Sequence, residues 1–225
     1  FATVDVKSVT VGAKILVRDP SKARAVKVPE ELITTDFDEI LNDDSIKIVV
    51  EVMGGVEPAN TFVRKALEAG KSVVTSNKAL VAKHGSALLK TAREKNVNFL
   101  FEASVGGGIP ILRALGSSLT GDEIEEIAGI LNGTTNYMMT RMFYEGANYE
   151  EVLREAQKNG FAEADPTADV EGYDACRKIA ILTSLAYGKT LDFNDVYTEG
   201  ITKITARAFW TTTRQAWTPW RNWRG

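Results

Sequence analysis

The run IKIVVEVM, Ile46 to Met53, closed by Gly54 and Gly55, limits the possible folds more than any other stretch. Nearly continuous β-branched apolar sequence of this kind predicts a strand covered on both faces, the condition of a parallel sheet with helices above and below it. The flanking sequence agrees. Pro58 stands at a favoured first helical position, Phe62, Val63, Ala66 and Leu67 supply an apolar face, and Gly70 closes the helix. Ser72 to Thr75 reads as the next strand, Leu80 to Lys95 as a helix, and Asn98 to Phe101 as another strand. Upstream, Ala13 to Arg18 is a short apolar strand, and Thr35 to Asn42 a helix capped by its threonine with Phe37, Ile40 and Leu41 buried. Alternating strands and helices imply right-handed βαβ units, with ligands outside the carboxyl ends of the strands.

Three strand ends therefore matter: EVMGG, TSNK and EASVGGG. Gly54, Gly55 and the later glycines permit close approach of a ligand, or simply make tight turns. Lys78 lies on a strand-to-helix turn, where a lysine is either solvated or turned to a ligand. The dinucleotide fingerprint G-x-G-x-x-G is absent, and Gly106 to Gly108 are no substitute, since they follow a late strand and precede Ile109 and Pro110.

After Pro110 the pattern changes. Ile111 to Leu119 reads as a short helix and Glu123 to Leu131, with Ile124, Ile127 and Ile130, as a strand of a second, α+β region. Asn132 to Asn136 caps a helix, Tyr137 to Tyr144, whose methionines serve a core or a subunit interface. Asn148 and Glu151 are spaced as a capping box, and Val152, Leu153 and Ala156 line a helix ended by Gly160. An acidic loop follows, bearing Glu163, Asp165, Asp169 and Glu171, and leads into a helix from Tyr173 to Tyr187. Ala175, Ile179, Leu182 and Ala186 are its expected buried stripe, leaving Asp174 and Lys178, four apart, on another face. A lysine held among acids can move protons, although acid before base at this spacing is also ordinary helix support, and acids suit helix N-termini.

Composition narrows the partners. A formal net charge of -3, with lysines and arginines scattered, offers no surface for nucleic acid. One cysteine, Cys176, and one histidine, His84, exclude an internal disulfide and a Cys/His zinc site. No apolar run approaches a membrane span, so the expected location is the cytoplasm. From Ala206 onward all four tryptophans crowd into a basic tail without acids or helical period, which reads as out-of-frame sequence or as a membrane or partner tail.

The segment GFAEADPTADVEGYDACRK, together with VVEVMGG, VVTSNK, FEASVGGGIP and GILNGTTNY in this order, resembles the homoserine dehydrogenases over roughly Ala13 to Thr205. The resemblance implies an α/β chain: a truncated Rossmann-type parallel sheet over residues 1–105, a substrate-binding, catalytic and dimerisation region over 106–205, and the atypical tail 206–225. It implies hydride transfer between homoserine and aspartate 4-semialdehyde with NAD or NADP. A homodimer through the second region is expected because the isoleucine-alternating strand and the Met/Tyr helix leave apolar surface to be covered. Lys178 becomes the general acid/base with Asp174 as its partner, Glu163 and Asp169 bind substrate, and Lys78 stands between substrate and cofactor. Gly54, Gly55 and Ser76 join Lys78 against the cofactor. Arg18 falls where a basic side chain meets the 2′-phosphate of NADP, or is a surface arginine beside Asp19 and Lys22. A monovalent cation such as Na+ is implied on the backbone oxygens of Glu102, Val105, Gly107 and Ile109.

The resemblance also places a fingerprint before Phe1, so the chain reads as a fragment with weakened cofactor affinity. Its helix after Gly172 is expected to bring Lys178 toward the strand ends. The chemistry is consistent by itself, because oxidising a primary alcohol requires removal of its proton and a substrate ammonium requires carboxylates. Another Rossmann-type dehydrogenase of an amino-acid-derived carbonyl, or a non-catalytic nucleotide-binding or oligomerisation module, remains open on the sequence.

Overall fold

The computed structural model describes residues 14–22 and 28–205; expectations for Ala13 and for the tail 206–225 lie outside the described residues. The chain forms two compact units, one within residues 1–121 and the other within 122–225. The first contains β1 (Ile15–Leu16), β2 (Ile33–Thr34), α1 (Asp38–Leu41), β3 (Ile48–Glu51), α2 (Ala59–Glu68), β4 (Ser72–Thr75), α3 (Lys78–Glu94), β5 (Phe99–Leu100) and α4 (Ile111–Arg113). All strand pairs are parallel, as the alternation of elements requires: β1 with β2, and β3, β4 and β5 in that order. Ile48 lies opposite Ser72, and Val73 opposite Phe99. Val63, Ala66 and Leu67 of α2, Leu80 and Leu88 of α3, and Val73 of β4 form the buried interior. Glu102 extends this unit past the last strand, because its carboxylate accepts hydrogen bonds from the backbone N–H groups of Leu112 and Arg113, both at 2.9 Å.

The run from Ile46 to Met53 is less buried than its composition predicts. Only Ile48–Glu51 is strand, and Ile48, Val50 and Val52 are 60%, 64% and 76% exposed. The cause is the neighbourhood of β3, which pairs with β4 and, among the described residues, with no strand on its other side. A cavity of about 530 Å³ lies there, lined by Ile15 and Leu16 of β1, Phe37 and Ile40, and Ile48 and Val50. The first helix also differs from expectation. It begins at Asp38, because the Thr34 hydroxyl accepts from Asp36 N and the Asp36 carboxylate accepts from Asp38 N, turns that use up the residues before the helix.

Among the described residues the second unit contains helices and no strand: α5 (Gly133–Glu145), α6 (Tyr149–Lys158), α7 (Thr167–Val170) and α8 (Tyr173–Tyr187), joined by irregular segments. Asparagine side chains start α5 and α6, Asn132 accepting from Thr135 N at 2.8 Å and Asn148 from Glu151 N at 2.9 Å. Met138 and Met142 are fully buried with Val152 and Ala156, so the methionines of α5 belong to the core. Residues 123–131 form no strand, and Ile130 is 77% exposed. A strand exists only through a pairing partner, and the described chain presents none beside this segment.

The buried side of α8 was also misplaced by its apolar pattern. Ala175, Ile179 and Ala186 are only half-buried, whereas Asp174 is 2% exposed and lies with Cys176, Ala180, Ile181 and Leu182 on the buried side. A carboxylate can occupy that position because its Oδ2 is hydrogen-bonded there, as the next section describes. The turn between α7 and α8 is in turn covered by residues 198–201, with Ile201 N donating to Val170 O at 2.8 Å.

The α5–α6 pair carries a pH-dependent contact. The Tyr137 hydroxyl and then the Arg141 guanidinium hydrogen-bond the Glu155 carboxylate, at 2.8 and 2.7 Å, and hold it below its ordinary value of 4.5. A depressed folded-state value means stabilisation present above pH 4.5 and lost as the pH falls through the lowered value. Glu155→Gln is therefore expected to unfold more readily than wild type at neutral pH, the difference closing in acid. Denaturant midpoints measured across that range check the sign.

Candidate active site

The acidic segment divides into groups with different tasks. Asp165 makes a turn, its carboxylate accepting from Thr167 N at 3.1 Å and from the Thr167 hydroxyl at 2.6 Å; the hydroxyl contact first, then the backbone one, lowers its proton affinity. Glu163 is exposed on the loop, where its carbonyl accepts from Gln157 Nε2 at 3.2 Å. Asp169 and Asp174 turn inward and meet at one group, the side-chain amide of Asn132, whose Nδ2 lies 2.7 Å from Asp169 Oδ1 and 2.9 Å from Asp174 Oδ2.

Lys178, one helical turn after Asp174, donates to Asp174 Oδ2 at 2.7 Å and to the carbonyl of Leu131 at 2.6 Å. Its side chain is 16% exposed and that of Asp174 2%. The pair is thus largely withdrawn from water, where charge-assisted hydrogen bonds are stronger and an unpaired charge would be costly. Among the described residues these bonds occupy two of the three ammonium hydrogens, which leaves the third for an incoming oxygen. The sequence reading paired Asp174 with Lys178 and placed both near Asp169. It gave Asn132 only a helix cap and Leu131 no part at all. A signal was present: an asparagine whose oxygen caps a helix retains two N–H donors, which need acceptors if the residue is buried, and Asn132 is 8% exposed.

In the first unit the strand ends are tied together through Glu51, 3% exposed at the end of β3. Its carboxylate accepts from the Thr75 hydroxyl and, at 2.6 Å, from Met53 N. Thr75 Oγ1 accepts from Asn77 N at 2.9 Å, and Asn77 donates through Nδ2 to Gly55 O at 2.6 Å while its oxygen caps α3 at Leu80 N. Lys78 is consequently the first residue of the 17-residue α3, at its positive end. Gly54, Gly55 and Ser76 are exposed around it, and Gly55 has φ +75°, a conformation that favours glycine. Arg18 is exposed beyond β1 beside Asp19 and Lys22. Glu102, Val105, Gly107 and Ile109 follow β5 on one turn shaped by the left-handed Gly106 and Gly108. Among the described residues no group of three or more His, Cys, Asp or Glu side chains could hold a metal, and no helix is long and apolar enough to cross a membrane.

A parallel-stranded α/β unit with glycines and a lysine at its strand ends, accompanied by a helical unit with a carboxylate-held lysine, has the parts of a nucleotide-dependent dehydrogenase. The homoserine dehydrogenase family model matches residues 110–219, and that of the homoserine dehydrogenase NAD-binding domain matches residues 3–102. The chain belongs to the homoserine dehydrogenase family. It is 50% identical over 192 residues to the homoserine dehydrogenase of Bacillus subtilis, covering 85% of this chain and 44% of that protein. To the Mycobacterium tuberculosis homoserine dehydrogenase it is 48% identical over 202 residues, 88% of this chain and 46% of the relative. The chain thus spans less than half the length of these curated relatives. Among solved structures, S. aureus homoserine dehydrogenase superposes with a TM-score of 0.78 at 43% identity, covering 91% of this chain and 48% of that one. A hyperthermophilic archaeal homoserine dehydrogenase in complex with NADPH gives a TM-score of 0.69 at 33% identity, over 76% of this chain and 53% of that one.

Proposed function

We propose that this chain carries the substrate-binding and proton-transfer residues of an NAD(P)-dependent homoserine dehydrogenase, which interconverts L-homoserine and L-aspartate 4-semialdehyde in amino-acid biosynthesis in the cytoplasm. The cluster of Lys178, Asp174, Asn132 and Asp169 carries this reading. Homoserine brings an ammonium group, a carboxylate and a primary hydroxyl. Asp169 and the exposed Glu163 bind the ammonium, while Lys178, fixed by Asp174 and Leu131 O, directs its remaining N–H at the oxygen that changes charge. In the reducing direction Lys178 gives a proton to the developing alkoxide; in the oxidising direction it accepts the hydroxyl proton, directly or through water. NAD(P), when bound, supplies the hydride acceptor or donor.

The strand ends of the first unit fit that cofactor: nothing lies within 4 Å of a Cβ built on Gly54, and Gly55 needs its positive φ, so the backbone there is open to close approach. Gly54, Gly55, Ser76 and Lys78 line the cofactor, with Arg18 favouring NADP through its 2′-phosphate. The carbonyls of Glu102, Val105, Gly107 and Ile109 form the all-oxygen donor set that a hard monovalent cation such as Na+ prefers, while the Glu102 carboxylate is engaged at the start of α4. The exposed Ile130, Tyr144 and Tyr197 of the second unit are covered in a homodimer, in which residues 123–131 find a strand partner.

Calorimetry on the chain tests the substrate. L-Homoserine is expected to bind saturably, and 4-hydroxybutyrate, which lacks the ammonium, is expected not to. Equal binding of the two, or of neither, would remove the basis of the proposal.

A further inference from the structure

We propose that Asn132 is a positioning residue that fixes both Asp169 and Asp174, and that with Leu131 it forms a two-residue template for the whole acid–lysine cluster. The side-chain amide has two N–H donors and one oxygen with two lone pairs, and every one of these is used. Its oxygen accepts from Thr135 N at 2.8 Å and from the Thr135 hydroxyl at 2.9 Å, and its nitrogen donates to Asp169 Oδ1 at 2.7 Å and Asp174 Oδ2 at 2.9 Å. A backbone N–H can only donate, so the amide oxygen must face Thr135 and the NH2 must face the carboxylates. The orientation of Asn132 is therefore dictated by α5, to whose N-terminus it is anchored.

The adjacent residue acts on the lysine. Leu131 O accepts from Lys178 Nζ at 2.6 Å, and the same Nζ reaches Asp174 Oδ2 at 2.7 Å, the oxygen that Asn132 also holds. Asp169 sits on α7 and Asp174 on α8, so the amide is the link that sets the distance between two carboxylates on different helices. Without it, two like charges face one another. Asp169, which is only half-buried, then turns to water, and Asp174 loses one of the donors that fix its oxygen against Lys178. Capping alone does not explain the residue, since serine or aspartate serves a helix N-terminus as well.

The substitution Asn132→Ser separates the two roles, because serine keeps an acceptor for Thr135 N and supplies no N–H to either acid. In the 225-residue chain two readouts apply. The first is the acylation rate of Lys178 by trace acetic anhydride, measured by mass spectrometry against Lys90, whose side chain is 78% exposed. This rate is expected to rise severalfold in Asn132→Ser, with the unfolding midpoint close to wild type, and to fall in the isosteric Asn132→Asp, whose added carboxylate holds Lys178 in its unreactive ammonium form. The second is L-homoserine affinity, which rests on the proposed function and is expected to fall about tenfold, the usual scale for one charge-assisted hydrogen bond. Wild-type acylation of Lys178 in both variants would overturn the role of Asn132. Failure of wild-type chain to bind homoserine, with altered acylation in the variants, would instead overturn the substrate and leave the template standing.

Discussion

Replacement of Lys178 by arginine is expected to lower homoserine turnover by about a hundredfold or more, the scale of losing a general acid/base. Arginine keeps the positive charge that Asp174 requires but cannot exchange a proton near neutral pH. Its planar fork also cannot reproduce one nitrogen placed 2.6 Å from Leu131 O and 2.7 Å from Asp174 Oδ2. Lys178→Ala should show the same loss of kcat with an added stability defect, because Asp174, 2% exposed, then loses the ammonium that stands 2.7 Å from its Oδ2. Glu163→Ala provides the contrast. Its carboxylate lies on the exposed loop, so its loss should chiefly raise the KM for homoserine. These assays are made in a protein of the relatives' full length that carries residues 14–205 of this chain, with unfolding midpoints recorded beside the rates. Near-normal kcat across pH in Lys178→Arg would show the lysine to be an electrostatic anchor and move the proton transfer elsewhere.

Gly200→Ala should damage the second unit without touching a charged group. A Cβ at this position would stand 2.5 Å from Val170 O, 2.7 Å from Glu171 Cα and 2.8 Å from Glu171 Oε2. The first two are backbone atoms of the α7–α8 junction and cannot rotate away, so the covering segment must lift and break Ile201 N to Val170 O. Gly172, on the other side of the contact, has φ +82° and would itself place a Cβ 3.0 Å from Glu199 O. The expected cost is about 3 kcal/mol, the upper part of the range for an overpacked site. Gly121→Ala serves as the control, since nothing lies within 4 Å of its added carbon. Urea midpoints of the two variants decide the matter: equal midpoints would show that the segment yields freely. Because Asp174 lies two residues after Gly172, loss of homoserine affinity should accompany the stability loss.

Periodicity and turn chemistry made the helices and parallel strands legible. Pro58 and Gly70 bound α2, Ser72–Thr75 is β4 to the residue, and Tyr173–Tyr187 is α8 to the residue. What was not legible depended on neighbours distant in sequence. The apolar run around Ile48 revealed nothing of the side of β3 that no described strand covers, and the isoleucines of 123–131 revealed nothing of the lack of a partner strand among the described residues. Asp174 broke the apolar stripe of α8 because its burial is supported from Asn132, 42 residues earlier. Nothing in the sequence marked Gly200, since the carbonyl it admits belongs to Val170. Motif order singled out Lys178 and Asp174 as candidates, whereas Asn132 joined them only when the hydrogen bonds of its amide could be followed to their ends.

The order β3–β4–β5 bears on how the chain folds. Each strand pairs with the next one in sequence, and only α2 or α3 lies between them. Closing such short crossovers costs little chain entropy, and α2, α3 and β4 share the buried residues Val63, Leu67, Val73, Leu80 and Leu88. Low sequence separation of contacts favours fast folding, so residues 48–100 form the natural nucleus of the first unit. Amide exchange should resolve it directly. Val73 N, which donates to Asn98 O at 2.8 Å within the central strand, exchanges among the slowest, and the β1–β2 pair opens and exchanges first.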